Sequence, residues 1–433
     1  MTGPSETKGF TVATLARRAR DASRVLATLS DEVRRDALIK ASYALLEQKG
    51  EILAANARDC ETARIQVAQG AMSASLFARL QTSERGIAEM ATKMRQVARL
   101  PDPINRVLMT ADLDNGLRLE KVSCPLGVIG IVFESRPDVI PQVVSLTLRS
   151  GNAVLLKGGA EALHTNQALV SILRHAFAAL PQIPYDALNL LHSRDDVAEM
   201  LSLENEIDLI VPRGSKDFVQ YVASHSRVPV LGHGEGICHV YVDAAAALKK
   251  ALDIALDSKV QYPAACNAAE TLLIHTEIAP LFLPEMLSAF ADAGVIVYGC
   301  EDTIAYAPNN KVLPASETDW ATEYSDLRIS VRVVDSLEAA ISHINQYGSK
   351  HTESIVTEDE EAAKRFMDEV DAAGVYHNAS TRFADGYRYG LGAEIGISTS
   401  KLHARGPVGL EGLTTYKYRL FGDGHTVSQL RNN

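Results

Sequence analysis

Cys266 stands in the segment Gln-Tyr-Pro-Ala-Ala-Cys-Asn-Ala-Ala-Glu-Thr at 261 to 271, directly before the apolar run Leu272-Leu273-Ile274. A cysteine so placed could carry an acyl group, because the thiolate is a strong nucleophile and a serviceable leaving group. Thiolates are favoured where a helix begins, since free N–H groups and the helix dipole stabilise negative charge there. Pro263 followed by small residues predicts such a short helical start around Cys266. The competing reading is that a lone cysteine among alanines is an inert small hydrophobe.

Three further places put polar residues just past apolar runs. Lys157 follows Val154-Leu155-Leu156 and precedes Gly158-Gly159; Pro212-Arg213-Gly214-Ser215 follows Ile207 to Val211; Glu134-Ser135-Arg136-Pro137 follows Gly127 to Phe133. Open α/β sheets bind ligands beyond the carboxyl ends of their strands, and Gly214-Ser215 could open a helix toward a pyrophosphate. Arg136 could hold an anion or a developing oxyanion, or simply pair with Asp138 or Glu134. No G-x-G-x-x-G follows a strand, so the common dinucleotide fingerprint is absent.

The elements that must position these residues follow from periodicity. Residues 10 to 99 carry apolar residues three and four apart (Leu26, Leu29, Val33, Leu38, Leu45, Ile52), which predicts packed helices, one capped by Asp31. Asp114-Asn115-Gly116 between Val107-Leu108-Met109 and Leu117-Arg118-Leu119 predicts a protruding hairpin that could serve subunit pairing. Apolar runs at 127–133, 139–148, 153–156, 188–191, 207–211 and 228–231, with a helix near 162–180, read as a parallel sheet covered on both faces. A second such series runs from 263 to 403 through 271–274, 295–298, 329–334, 354–356 and 374–376, and a closing strand lies within 406–427.

The 433 residues are enough for two large domains. Net charge is −11 and no basic block occurs, which argues against nucleic acid or an acidic membrane as partner. Five scattered cysteines without a C-x-x-C pair predict a reducing compartment and no metal site. No apolar run long enough to span a bilayer is present, and the expected location is the cytoplasm.

In order along the chain, these residues resemble the aldehyde dehydrogenase superfamily, and within it the gamma-glutamyl phosphate reductase family. The most specific segment is Val334 to Ile355, which is similar to that family's signature; Val211 to Ser215, Gly232 to His239 and Lys401 to Leu410 are similar as well. The resemblance implies an aldehyde dehydrogenase-like α/β fold: two doubly wound domains plus a small β element for oligomerisation. Residues 1–106 and 123–262 would bind the dinucleotide, 263–405 would carry the nucleophile, and 107–122 with 406–433 would build a homodimer or homotetramer.

By the same resemblance Cys266 is the nucleophile, with Asn267 and Arg136 assisting at the reacting centre. Lys157 would contact the adenosine ribose, Arg213, Gly214 and Ser215 the pyrophosphate and nicotinamide, and Glu323 the nicotinamide ribose; the phenylalanine-glycine-proline that follows this glutamate in oxidising relatives is missing. NADPH is the cofactor implied. The substrate implied is L-glutamyl 5-phosphate; Asn267, His351, Thr352, Lys401 and Arg405 are candidates for holding its amino-acid head, each of which could equally be a structural polar residue. Association with glutamate 5-kinase is left open.

The oxidising enzymes' oxyanion asparagine falls at Ser135 and their general-base glutamate near Gly232, with Glu235 close by. An enzyme that reduces a thioester made from an acyl phosphate needs no base to activate water. The competing readings are an aldehyde dehydrogenase oxidising a small aldehyde, a cofactor-free cysteine transferase or hydrolase, and a catalytically dead scaffold.

Overall fold

The apolar runs of the sequence become two parallel sheets in the computed structural model, which describes residues 10–193, 195–232, 234–307 and 311–429. By internal packing the chain divides into two units, one of residues 1–232, 391–396 and 408–433, the other of 233–390 and 397–407.

The first unit opens with α1 (Val12–Leu26), α2 (Asp31–Glu47), α3 (Lys49–Ala68), α4 (Ala74–Leu80) and α5 (Glu84–Ala98). Ser30, not Asp31, caps α2: its hydroxyl accepts from the Val33 N–H at 3.4 Å. Asp31 is the first helical residue, where its charge complements the dipole, and it also bonds the Arg149 guanidinium. The expected hairpin is β1 (Val107–Asp114) and β2 (Leu117–Pro125), and the closing strand β16 (Thr414–Phe421) pairs antiparallel with β2.

The nucleotide-type layer of this unit comprises β3 (Val128–Phe133), α6 (Val139–Arg149), β4 (Ala153–Gly158), α7 (Leu163–Ala178), β5 (Leu188–Leu191), α8 (Asp195–Leu201), β6 (Leu209–Arg213) and α9 (Lys216–His225). The apolar run at 139–148 is therefore a helix, buried nearly all round. The sheet order is β5-β4-β3-β6, every pair parallel. The run at 228–231 contributes only a bridge from Val230 to Ile210.

The second unit holds β7 (Cys238–Val242), α10 (Leu248–Val260), β8 (Ala269–His275), α11 (Ala279–Asp292), β9 (Ile296–Gly299), α12 (Glu301–Ala305), β10 (Val312–Pro314), β11 (Arg328–Val334), α13 (Leu337–Tyr347), β12 (Thr352–Val356), α14 (Glu360–Glu369) and β13 (Gly374–His377). Two short strands, β14 (Ile397–Ser398) and β15 (Gly406–Pro407), pair with each other. The large sheet runs β10-β9-β11-β8-β7-β12-β13, all parallel. Alternate side chains serve opposite faces: Val240 and Leu272 join Phe282, Met286 and Phe290 on one side, while Tyr241 and Leu273 join Ile344, Ile355 and Phe366 on the other. Each such side chain contributes about 1.5–3 kcal/mol on burial.

The boundary between units falls after Gly232 and not after Tyr262 as the sequence predicts. The reason is β7, a strand unforeseen in the sequence, which pairs with β8 and β12 and draws 233–262 into the second unit. The hairpin and β16 group with the first unit.

Candidate active site

Cys266 lies in two consecutive tight turns that run into β8. The Ala265 N–H bonds the Tyr262 carbonyl at 3.2 Å and the Ala268 N–H bonds the Ala265 carbonyl at 2.9 Å. The expected helix start is absent, because the chain enters the extended conformation of β8 three residues after the cysteine. The Cys266 side chain is partly exposed.

Behind it, Cys238 begins β7, and its thiol donates to the Cys266 carbonyl at 3.4 Å. Cys238 is fully buried, and burial first, then the nearby Glu353 and Cys266, pushes its thiol well above the ordinary cysteine range. It stays protonated. Of two neighbouring cysteines, only Cys266 is open to a substrate.

The segment before β7 allows this close approach because residue 236 has no side chain. A Cβ on Gly236 would stand 1.9 Å from the Cys266 carbonyl oxygen and 2.6 Å from its Cα. Glu235 is half-buried in the same segment, and His233 lies outside the described residues.

Asn267 is buried beside Cys266 and spends its amide N–H on the Ala384 carbonyl at 2.9 Å. His351 and Thr352, expected at the substrate, are both 1 % exposed. The His351 ring stands 3.8 Å from the Cys238 sulfur and 2.9 Å from the Thr352 hydroxyl. These two residues back Cys238.

The remaining expected substrate residues form a cationic group. Lys401 and Arg405 both reach Asp371, at 2.9 and 3.0 Å, and Lys350 joins them at 3.1 Å. Hydrogen bonds from Lys401 first and then Arg405 hold the Asp371 carboxyl well below the usual carboxylate range. Three cations share one acid. In the sheet order, Lys350 precedes β12 and Asp371 precedes β13, two and three strands from β8 on the same amino-terminal edge as Cys266.

Two buried polar groups support the second unit. Lys259 and Glu270 form a fully buried pair at 2.6 Å, and Glu270 also accepts from the Ser325 N–H at 3.1 Å. That bond fixes the loop carrying Glu323, the expected ribose ligand, which is half-buried. Glu353 accepts from the His239 N–H at 2.7 Å and meets its ring at 2.9 Å. Burial pushes Glu353 well up and His239 down to about 3, so this pair is neutral.

In the first unit, the three expected polar segments all emerge at the carboxyl end of the sheet. Chain order reverses between β3 and β6, which makes their shared crevice the switch point where such sheets bind ligands. There the Ser215 N–H, at the start of α9, donates to the Glu134 carboxylate at 3.1 Å. That carboxylate occupies the place of an anion, so the helix terminus fits a pyrophosphate. Lys157 is the last but one residue of β4, with its ammonium on the Gly158 carbonyl at 2.6 Å, and Arg213 ends β6 with its guanidinium on the Ile395 carbonyl at 2.6 Å.

Ser135 is fully buried with φ 32°, and both its N–H and its hydroxyl donate to Glu161, at 2.7 and 2.6 Å. Arg136 is exposed and pairs with Asp138 at 3.3 Å, the plain surface alternative.

Sequence reasoning missed Gly236, Lys350, Asp371, the Lys259–Glu270 pair and Arg382. Arg382 sits in a 3-10 turn, Thr381–Phe383, and its Nε donates to Gln261 at 2.9 Å, just ahead of Cys266. Only Gly236 and Lys350 lay inside segments singled out for resemblance.

The aldehyde dehydrogenase family matches residues 5–297. A gamma-glutamyl phosphate reductase of Synechococcus sp. strain JA-3-3Ab is 53% identical over 410 residues, covering 95% of this chain and 90% of its own. One of Natronomonas pharaonis is 51% identical, covering 95% of this chain and 93% of its own. The crystal structure of a gamma-glutamyl phosphate reductase from Thermotoga maritima superposes with a TM-score of 0.93 at 42% identity, covering 96% of this chain and all of that one.

Proposed function

The chain belongs to the gamma-glutamyl phosphate reductase family within the aldehyde dehydrogenases, and from that premise we propose how its residues reduce L-glutamyl 5-phosphate to L-glutamate 5-semialdehyde, a step of proline biosynthesis. The observation that carries the chemistry is the exposure of Cys266 at its turn while Cys238 behind it is sealed as a thiol.

The Cys266 thiolate attacks the 5-carbonyl carbon, with its own backbone N–H as a donor to the oxyanion. Collapse expels phosphate and leaves a thioester on the sulfur. Lys157, Arg213, Gly214 and Ser215 would hold NADPH, with Glu323 at the nicotinamide ribose, and the bound cofactor would supply the hydride for reduction of this thioester. The thiohemiacetal on Cys266 then breaks its C–S bond, releasing the semialdehyde and returning the thiolate. Asn267 holds the nucleophile's turn through Ala384, and His351 and Thr352 position it through Cys238. Lys401 and Arg405 hold the substrate's α-carboxylate.

The acyl phosphate must be supplied by an ATP-dependent kinase acting on glutamate, and the working form is a homo-oligomer built through the hairpin and β16. Among the described residues no helix is long and apolar enough to cross a membrane.

In the oxidative direction the purified protein should reduce NADP with pyrroline-5-carboxylate only when phosphate is present. Cys266→Ala should abolish this. Phosphate-independent turnover would return the reading to an aldehyde-oxidising enzyme.

A further inference from the structure

The geometry points to Arg382 as the cation that receives the substrate's phosphoryl group at Cys266, an inference that rests on the acyl-phosphate reading above. The turn that carries it clasps the nucleophile's loop from both sides. Ser380 meets Ser258 at 3.1 Å, the Thr381 N–H reaches the same hydroxyl at 3.3 Å, Arg382 bonds Gln261 at 2.9 Å, and Asn267 reaches Ala384 at 2.9 Å. Residues on either side of Cys266 are thus tied to residues on either side of Arg382.

Arg382 is only 7 % exposed, with its guanidinium carbon 5.7 Å above the Tyr262 ring. A buried cation is costly unless an acid pairs with it. Among the described residues none is in salt-bridge contact with it: Asp385, close in sequence, pairs with Arg388 at 3.5 Å, and Asp385 and Asp257 act on Arg382 only through space. Arg382 commits Nε to Gln261, while its two terminal nitrogens have no hydrogen-bond partner among the described residues and are not sealed from solvent. Burial weakens its hold on the proton, followed by repulsion from Arg388, and the neighbouring Cys266 charge acts the other way. The two terminal nitrogens are therefore left for a ligand beside the loop that carries Cys266.

Distance decides among the cations of this unit. In an acyl phosphate, phosphorus is separated from the attacked carbon by one oxygen, so its partner must lie close to the sulfur. The strands behind Lys350 and Asp371 are two and three positions from β8, about 10 and 14 Å of backbone. That group suits the far end of the substrate, while a planar fork at Arg382 suits a phosphoryl group, which it can hold bidentately.

The step balances without a redox partner. A C–S bond forms as thiolate attacks, the C–O bond to phosphorus breaks with its electron pair on the phosphate oxygen, and the departing phosphate takes one proton from water. Arg382 stays protonated throughout.

The test varies phosphate and pyrroline-5-carboxylate independently in the NADP-reducing direction, for wild type, Arg382→Gln and Arg382→Lys. Arg382→Gln should raise KM for phosphate by about 10- to 100-fold, the size of a lost charged hydrogen bond, with KM for the carbon substrate within about twofold. Arg382→Lys should recover part of the loss, since charge returns without the fork.

A second readout needs no turnover. Inorganic phosphate should slow alkylation of Cys266 by iodoacetamide in wild type and not in Arg382→Gln, and the alkylation profile of the variant should move to higher pH. If Arg382→Gln leaves the phosphate KM and the phosphate protection unchanged, the inference falls while the reductase reading stands. If wild type shows protection that depends on Arg382 yet no phosphate-dependent turnover, the reading falls and the anion site remains.

Discussion

Gly236 lies flat against the backbone of Cys266, so that a Cβ added to it would stand 1.9 Å from the Cys266 carbonyl oxygen. Backbone, unlike a flexible side chain, cannot give way there, so the nucleophile's place depends on an absent methyl group.

Gly236→Ala should therefore move the Cys266 turn outward. Displacing a reacting atom by about 1 Å is enough to cost roughly 100-fold in rate. Steady-state kinetics should show kcat falling by about that factor while thermal melting reveals a folded protein; unchanged kcat would mean the turn is compliant.

The buried Lys259–Glu270 pair makes two predictions of stability. Lys259→Met strands a buried carboxylate and should cost about 3–5 kcal/mol, whereas pairing it with Glu270→Leu should restore most of the loss. Urea unfolding of wild type and these two variants reads this directly, and a double variant no better than the single would contradict it.

Burial first, opposed by Lys259, raises the Glu270 carboxyl from 4.5 to about 7. A raised folded value means the native state keeps a proton that the unfolded chain has already released. This group's contribution is complete below pH 4.5 and is lost as pH climbs through 7. Glu270→Gln should remove that part of the stability profile, seen as a flatter dependence of the unfolding midpoint between those values.

On the proposed placement, the three cations on Asp371 serve the end of the substrate away from the phosphoryl group. Lys401→Met should raise KM for pyrroline-5-carboxylate by about tenfold, the cost of one charged hydrogen bond, and leave KM for phosphate alone. Asp371→Asn should act in the same direction by releasing all three cations. A change confined to phosphate would instead assign the group to the leaving anion.

Much of this was legible in the sequence. Strands buried on both faces read as apolar runs, so β3, β4, β6 and β8 stood out, and the hairpin was announced by Asp114-Asn115-Gly116. What failed did so for local reasons. The run at 139–148 is apolar all round, which does not distinguish a helix from a strand. β7 starts with Cys238-His239, a buried thiol and a buried neutral imidazole whose polarity masks a strand. Arg382 escaped notice because its importance comes from tertiary return: nothing in Ser380-Thr381-Arg382 signals that this turn folds back onto Gln261 and Asn267.

The last prediction concerns assembly. Along β16, Tyr416, Tyr418 and Leu420 alternate onto one exposed face, and β1 adds exposed Val107, Leu108 and Met109 at the far edge of the same three-stranded sheet. The proposed homo-oligomer would cover such an apolar face with another subunit, and β1 is unpaired along its outer edge among the described residues. Each such side chain contributes about 1.5–3 kcal/mol when fully covered, so a charge in its place both removes that gain and buries an ion. Leu420→Asp should thus lower the mass seen by sedimentation equilibrium toward that of one chain, with unfolding of the isolated chain little altered because residue 420 is already in solvent there. An unchanged oligomer would show that subunits meet elsewhere.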